Sequence, residues 1–194
     1  MDIQALECKL AYKLQHSQIF QSALEMIRGS SKGNIWVVGG TVYRTLADML
    51  YGDCDAPLPS NIDMICDDIT GEIILKDGWA MAKTSFGHPR LMSGNVSVDA
   101  WPLKEHYWIV KKGLMPTIEN YCAVVPLTVQ SIAYDYANRR IIGTRGLDAL
   151  EQKTVAVNYM DAALLWSQRA GMSVHDSLIE KANELGFTPI VHSP

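Results

Sequence analysis

The sequence predicts an α+β protein: a mixed β-sheet flanked by helices, with a short C-terminal helical extension. Three observations lead there. An apolar, β-branched run at 35–38 ends in Gly39-Gly40 and gives way to a helical pattern at 41–51. A second apolar run covers 62–66, with Asp63 inside it. A third run, 96–101, alternates between small or apolar and polar or aromatic residues. Short apolar runs bounded by turn residues read as strands, and an i, i+3, i+4 recurrence reads as helix.

The elements follow in order. Leu6, Leu10, Leu14, Ile19, Ala23 and Ile27 recur at helical intervals, which predicts one helix over 5–28. Gly29-Ser30-Ser31-Lys32-Gly33 punctuates it. The strand at 35–38 precedes the helix at 41–51, which Gly52 stops. Residues 53–60, rich in Asp and Pro, form a loop before the strand at 62–66. Residues 80–84 fit strand or helix. Residues 90–92 and 96–101 form a β-pair around Ser93-Gly94-Asn95. Residues 127–135 carry both characters, and 134–142 fits a hairpin with Ala137-Asn138 near its turn. Residues 161–185 are helical with a break at Gly171-Met172-Ser173. The expected division is an N-terminal helix (1–32), a central domain (33–157) and a helical extension (158–194).

Composition narrows the function classes. A chain of 194 residues with 48% hydrophobic content can bury a sizeable core. The formal net charge of −4 gives no strong nucleic-acid signal. No apolar run approaches the roughly 20 residues that span a bilayer, so no membrane association is expected. The N-terminus lacks the continuous apolar centre of a signal peptide, and the expected location is cytoplasmic. Cys8, Cys54, Cys66 and Cys122 lack paired metal-ligand spacing and read as reduced, structural thiols.

The chemistry concentrates around Gly39-Gly40, Asp63 and Asp99. Glycines let a backbone approach phosphates closely, because no β-carbon intervenes. Carboxylates on a neighbouring strand can hold divalent ions. Strand, glycine turn, helix, then a strand with an inward acid is how a nucleotidyltransferase site is assembled. Alternation puts Ser97, Asp99 and Trp101 on one strand face, and Val96, Val98 and Ala100 on the other. A carboxylate in so apolar a strand needs an ion or a partner. Asp99 is therefore an active-site carboxylate, or it caps a loop or pairs with an arginine such as Arg90. Arg44 and Lys83 are candidate phosphate contacts or solvated charges. Asp67-Asp68 are substitute ligands or turn caps, and Asp53 and Asp55 read as loop residues. His88 reads as structural. Trp36, Trp101, Tyr107 and Trp108 form either a base-stacking wall or core.

These segments together resemble the head domain of the poly(A) polymerase and CCA-adding enzyme family, among the DNA polymerase β-like nucleotidyltransferases. Val37-Val38-Gly39-Gly40-Thr41-Val42 is similar to the opening Gly-Gly signature. Ser60-Asn61-Ile62-Asp63-Met64 is similar to the Ser-Asp-Ile-Asp-Leu metal strand. Residues 127–135, Leu-Thr-Val-Gln-Ser-Ile-Ala-Tyr-Asp, resemble Phe-Thr-Ile-Asn-Ala-Leu-Ala-Tyr-Asp, and Gly146-Leu147-Asp148-Ala149-Leu150 resembles Gly-Leu-Glu-Asp-Leu. The resemblance spans about 33–175. It implies the nucleotidyltransferase fold, two Mg²⁺ ions and an NTP. It further implies Asp63 and Asp99 as catalytic residues, and Asn61, Asp63 and Asp99 as metal ligands. Gly39, Gly40, Thr41, Arg44 and Gln130 would hold the nucleotide.

The departures fall where the chemistry should be. Asn61 replaces the first metal-strand aspartate, and an amide brings no charge to a cation. Val124-Val125-Pro126 stands where the family has Arg-Arg-Asp, and Gln130 replaces the nucleotide-contacting Asn. The later arginine-rich helix aligns with 159–166, which has no arginine. An apolar helix cannot replace a guanidinium fork. The sequence ends soon after the neck helix begins, so the family's following RNA-binding domains are expected to be absent. Two functions remain open: a nucleotide-binding protein with reduced NMP transfer to an acceptor hydroxyl, or a non-catalytic module for nucleotide sensing or protein interaction.

Overall fold

A computed structural model describes residues 1–191. Two helices open the chain, α1 (Ile3–His16) and α2 (Gln18–Ser30). The single helix expected over 5–28 is therefore two. Ser17 adopts an extended backbone, and its hydroxyl accepts from Phe20 N at 3.3 Å. Such a cap satisfies a donor that a continuing helix would not need. Both helices still turn one apolar stripe inward, because Leu6, Leu10 and Leu14 join Phe20, Ala23 and Ile27 in one core.

Next come β1 (Ser31–Val38), α3 (Gly39–Tyr51) and β2 (Asn61–Ile69). The first strand starts earlier than its apolar run. Ser31 and Lys32 pair with Ile69 and Asp68, beyond an irregularity that ends at Ile35. Asp67 holds that bulge by accepting from Asn34 N at 2.8 Å. Residues 80–84 resolve as a strand, β3 (Ala80–Lys83), beside the hairpin β4 (Pro89–Ser93) and β5 (Val96–Pro102). Two short helices follow that periodicity did not reveal, α4 (Tyr107–Lys112) and α5 (Ile118–Val124). Residues 127–135 hold a 3₁₀ turn (Thr128–Gln130) and then β6 (Ala133–Asp135), which forms the expected hairpin with β7 (Arg140–Ile142). Then come α6 (Thr144–Glu151), β8 (Thr154–Ala156), α7 (Met160–Arg169), α8 (Val174–Leu185) and β9 (Thr188–Ile190).

The main sheet has seven strands in the order β3-β4-β5-β2-β1-β6-β7. All its pairings are antiparallel except β2 with β5, so the sheet is mixed. The period-2 alternation of each strand sends alternate side chains to two different cores. Val37, Met64, Val98 and Tyr134 face one core, which α1, α2, α3, α6 and α8 cover. Trp36, Val38, Ile65 and Ala133 face the other, under α4, α5 and α7. A separate parallel pair, β8 with β9, ties the last helices back to the body. Gly146 allows α6 to sit directly on the 3₁₀ turn, because a β-carbon there would fall 2.6 Å from the Ser131 carbonyl oxygen. Among the described residues, no helix is long and apolar enough to cross a membrane.

Candidate functional site

The strand register assembles the site. Val38 pairs with Asp63, Asp63 with Asp99, and Asp99 with Arg90. These four residues form one row across β1, β2, β5 and β4. In-register neighbours point to the same face, and strands lie about 4.8 Å apart. Asp63 and Asp99 thus project side by side, and both line one cavity. Asn61 and Ser97 are paired one step back on the same face. Ser97 Oγ donates to Asn61 Oδ1 at 2.8 Å, and Asn61 Nδ2 donates to Asp63 Oδ1 at 3.3 Å.

The row meets the glycine turn at Val38. Gly39 has φ +62°, in the left-handed region, and begins α3 against Asp63. A β-carbon at residue 39 would lie 2.5 Å from Asp63 Oδ2. Only glycine fits both the dihedral and the contact.

Asp99 is committed. Arg90 Nε donates to its Oδ1 and Nη2 to its Oδ2, each at 2.6 Å. Asp99 is buried, with 10% of its side chain exposed, whereas 40% of Arg90 is exposed at the cleft mouth. The arginine pairing considered for Asp99 is thus present. The bidentate contact raises the Arg90 pKa, through its hydrogen bonds to Asp99 and then its charge. Asp63 has no such fork. Burial and then the neighbouring Asp99 charge push its carboxyl up to about 6, against smaller opposing effects of Asn61, Arg90 and Arg44.

Asp63 stands where two cavities meet. One, of about 300 Å³, gathers Gly39, Gly40, Arg44, Asn61, Gln130 and Lys181 beside Asp63. Six of the expected residues, Asp63 among them, share it, and Thr41 and Asp99 do not. Thr41 is buried, and its hydroxyl donates to the Asn61 carbonyl at 3.3 Å, so its role is to anchor α3 to β2. Gln130 lines the cavity with its Oε1 already accepting from Leu127 N at 3.1 Å. Arg44 Nε lies 2.7 Å from Glu184 Oε1, as an ion pair whose N–H is not aimed along the contact. Lys181 pairs with the same Glu184 through Oε2. The second cavity, of about 460 Å³, has walls of Phe86, Trp101, Trp108, Tyr121 and Trp166. Arg169 stacks on Phe86, 4.0 Å from the ring centroid. His106 also lines it, and burial, with the nearby His88 charge, lowers its pKa to about 4.

The remaining candidates lie elsewhere. Lys83 does not line either cavity. Asp67 serves the β1 bulge, and Asp68 pairs with Lys104 at 2.7 Å, so neither substitutes as a metal ligand. Asp53 accepts from Asp55 N within its own exposed loop. Trp36 is core, while Trp101, Tyr107 and Trp108 reach the cavity. Lys181, Tyr121, Trp166 and Arg169 went unnoticed in the sequence. The packing of α8 on α7, β8 and β9 brings Lys181 to the glycine turn, and no local pattern announces it.

The sequence matches no protein-family model and no curated protein. Solved structures do match. The Bacillus stearothermophilus CCA-adding enzyme in complex with CTP aligns at a TM-score of 0.54 with 18% identity, over 90% of this chain and 41% of that one. A tRNA-processing enzyme aligns in an apo form at 0.52 with 15% identity, over 97% and 44%. A tRNA-processing enzyme with CTP aligns at 0.51 with 18% identity, over 88% and 42%. The fold is that of the nucleotidyltransferase head of CCA-adding enzymes. At this identity the likeness concerns fold alone. This chain spans about two fifths of the length of those structures.

The two Mg²⁺ ions that the resemblance implies do not fit these residues. Both oxygens of Asp99 are engaged by Arg90 and Asp63 Oδ1 accepts from Asn61, which leaves Asp63 Oδ2 as the one oxygen of the carboxylate pair without a hydrogen bond. A Mg²⁺ site needs free oxygens at 2.0–2.1 Å in octahedral array.

Proposed function

We propose that the protein binds a nucleotide in this cleft and that NMP transfer is reduced or lost. The observation that carries the reading is the position of Asp63 between two unlike cavities. The smaller cavity offers a glycine turn at a helix start with Arg44 and Lys181, which suits phosphates. The larger offers aromatic walls, which suit a planar base. An NTP has that same division between charged and planar halves. The complexes of fold neighbours with CTP support an NTP as the ligand class. Reduced transfer is supported by Asn61 and by the engagement of Asp99, since the resemblance assigns both positions to metal. The four free cysteines accord with a reducing, cytoplasmic setting.

The arginine-poor stretch 159–166 and the shared Glu184 argue for weak binding with little base preference. We expect Kd values near about 1 mM, a binding free energy of roughly 4 kcal/mol, for all four NTPs. Trp101, Trp108 and Trp166 report on the cavity, so tryptophan emission is the readout. A saturable change with each NTP, without pyrophosphate release, supports the reading. No saturable change with any NTP overturns it in favour of the interaction-module alternative. Pyrophosphate release abolished by Asp63→Ala would instead establish an enzyme.

A further inference from the structure

We propose that Arg90 replaces the divalent cation of this fold: its guanidinium is the built-in counter-ion of the Asp63–Asp99 pair and keeps divalent ions out of the cleft. Three features carry this, none of which depends on the nucleotide reading.

The first is register. The β4–β5 hairpin sets Arg90 opposite Asp99, and the parallel β2–β5 pairing sets Asp99 beside Asp63. The positive group therefore shares one face and one row with both carboxylates. The second is coordination. Arg90 reaches both Asp99 oxygens at 2.6 Å, the bidentate geometry in which a planar fork satisfies a buried carboxylate. A metal would have to strip off that fork to gain the same two oxygens. The third is charge. Two ionised carboxylates and one guanidinium sum to −1, and Asn61 adds nothing. A divalent ion entering beside Asp63 would face the Arg90 charge across Asp99, with only one carboxylate left to offset it. Repulsion at such range inside a protein is substantial. Asn61 reinforces the exclusion, because its amide directs a donor at Asp63 Oδ1 where a metal needs a bare oxygen.

Exchanging a metal for an arginine changes the cleft's properties. A bound Mg²⁺ comes and goes with ion concentration, whereas Arg90 is covalently part of the chain and always charged. Occupancy of the cleft by any ligand should then be insensitive to chelators.

The test is Mn²⁺ binding to the full chain, without nucleotide, followed by the loss of the free-ion electron paramagnetic resonance signal. Wild type is expected to leave the signal intact. Arg90→Gln should raise Mn²⁺ affinity by about 10- to 100-fold, the scale on which groups around a metal site act. Arg90→Gln with Asn61→Asp should raise it further. Arg90→Lys, which keeps the charge but loses the fork, should gain Mn²⁺ affinity by less than Arg90→Gln does. Circular dichroism establishes that each variant folds. Stoichiometric Mn²⁺ binding by wild type, or folded Arg90→Gln with no gain, overturns the proposal. Should Arg90→Gln fail to fold, Asn61→Asp alone decides: no Mn²⁺ binding while Arg90 is present supports the proposal, and binding overturns it.

Discussion

The Asp63 carboxylate occupies the space that a β-carbon on residue 39 would need, with Oδ2 2.5 Å from that position. Gly39 and Asp63 therefore determine each other. The glycine permits the left-handed turn that starts α3, and the turn closes one side of the carboxylate's pocket. Gly39→Ala should destabilise the protein by about 2 kcal/mol or more, combining the left-handed penalty with displacement of Asp63. Urea denaturation would measure this as a lower midpoint with unchanged slope. Gly29→Ala is the control, because beyond its chain neighbours and its own helix backbone nothing lies within 4 Å of a β-carbon there.

Two half-buried groups on the cleft should bias stability in opposite directions with pH. The Asp63 carboxyl is raised from 3.8 to about 6, so between those values the folded state binds more protons than the unfolded. Its contribution is unfavourable above pH 6 by ~3 kcal/mol and is relieved as pH falls through the folded pKa. His106 is lowered from 6.5 to about 4, so between those values the unfolded state binds more protons. Its contribution worsens by a similar ~3 kcal/mol as pH falls from 6.5 to 4. The two nearly cancel, and wild-type stability should vary little with pH on their account. Asp63→Asn should be more stable than wild type at pH 7.5 and should lose stability steeply below pH 6.5. His106→Phe should become more stable as pH falls from 6.5 to 4. Melting curves across pH 4–8 decide this, and parallel profiles for wild type and both variants would contradict it.

Thiol reactivity should divide the cysteines two and two. Cys8 and Cys54 are exposed. Cys66 and Cys122 are buried, and burial pushes both thiols up to about 12, so neither offers thiolate near neutrality. Iodoacetamide at pH 8 should alkylate two thiols in the native protein and four in denaturant, as read by intact mass. Rapid native labelling of Cys66 or Cys122 would mean that β2 or α5 opens readily.

Glu184 should restrain phosphate binding, because Arg44 and Lys181 both pair with it at the glycine turn. Glu184→Gln should tighten NTP binding by about threefold, in keeping with the ~0.6 kcal/mol of a partly exposed ion pair. Lys181→Ala should weaken it. Tryptophan emission titrations with ATP and CTP measure both effects, and equal affinities for wild type and Glu184→Gln would remove Glu184 from the account.

Much of the site was legible from local pattern. The hairpin around Ser93-Gly94-Asn95, counted outward from the Ser93–Val96 pair, sets Arg90 opposite Asp99, so even the ion pair was readable once the turn was placed. Ser17 was harder, since its apolar neighbours keep a helical period straight through the break. The short helices α4 and α5 hold too few turns for periodicity to stand out.

The sequence by itself determined the strands at 35–38, 62–66 and 96–101, the face on which Asp63 and Asp99 lie, and the neutral Asn61 two residues before Asp63. Those are consequences of side-chain period and of glycine's freedom, which act over a few residues. Tertiary structure alone decided that β2 and β5 pair in parallel, which makes Asp63 and Asp99 neighbours, and that α8 packs on α7 and β8, which brings Lys181 and Glu184 to the glycine turn. Parallel pairing needs a crossover rather than a tight turn, so no short segment encodes it. The choice among crossovers belongs to the packing of the whole core, and with it goes the charge balance of the cleft.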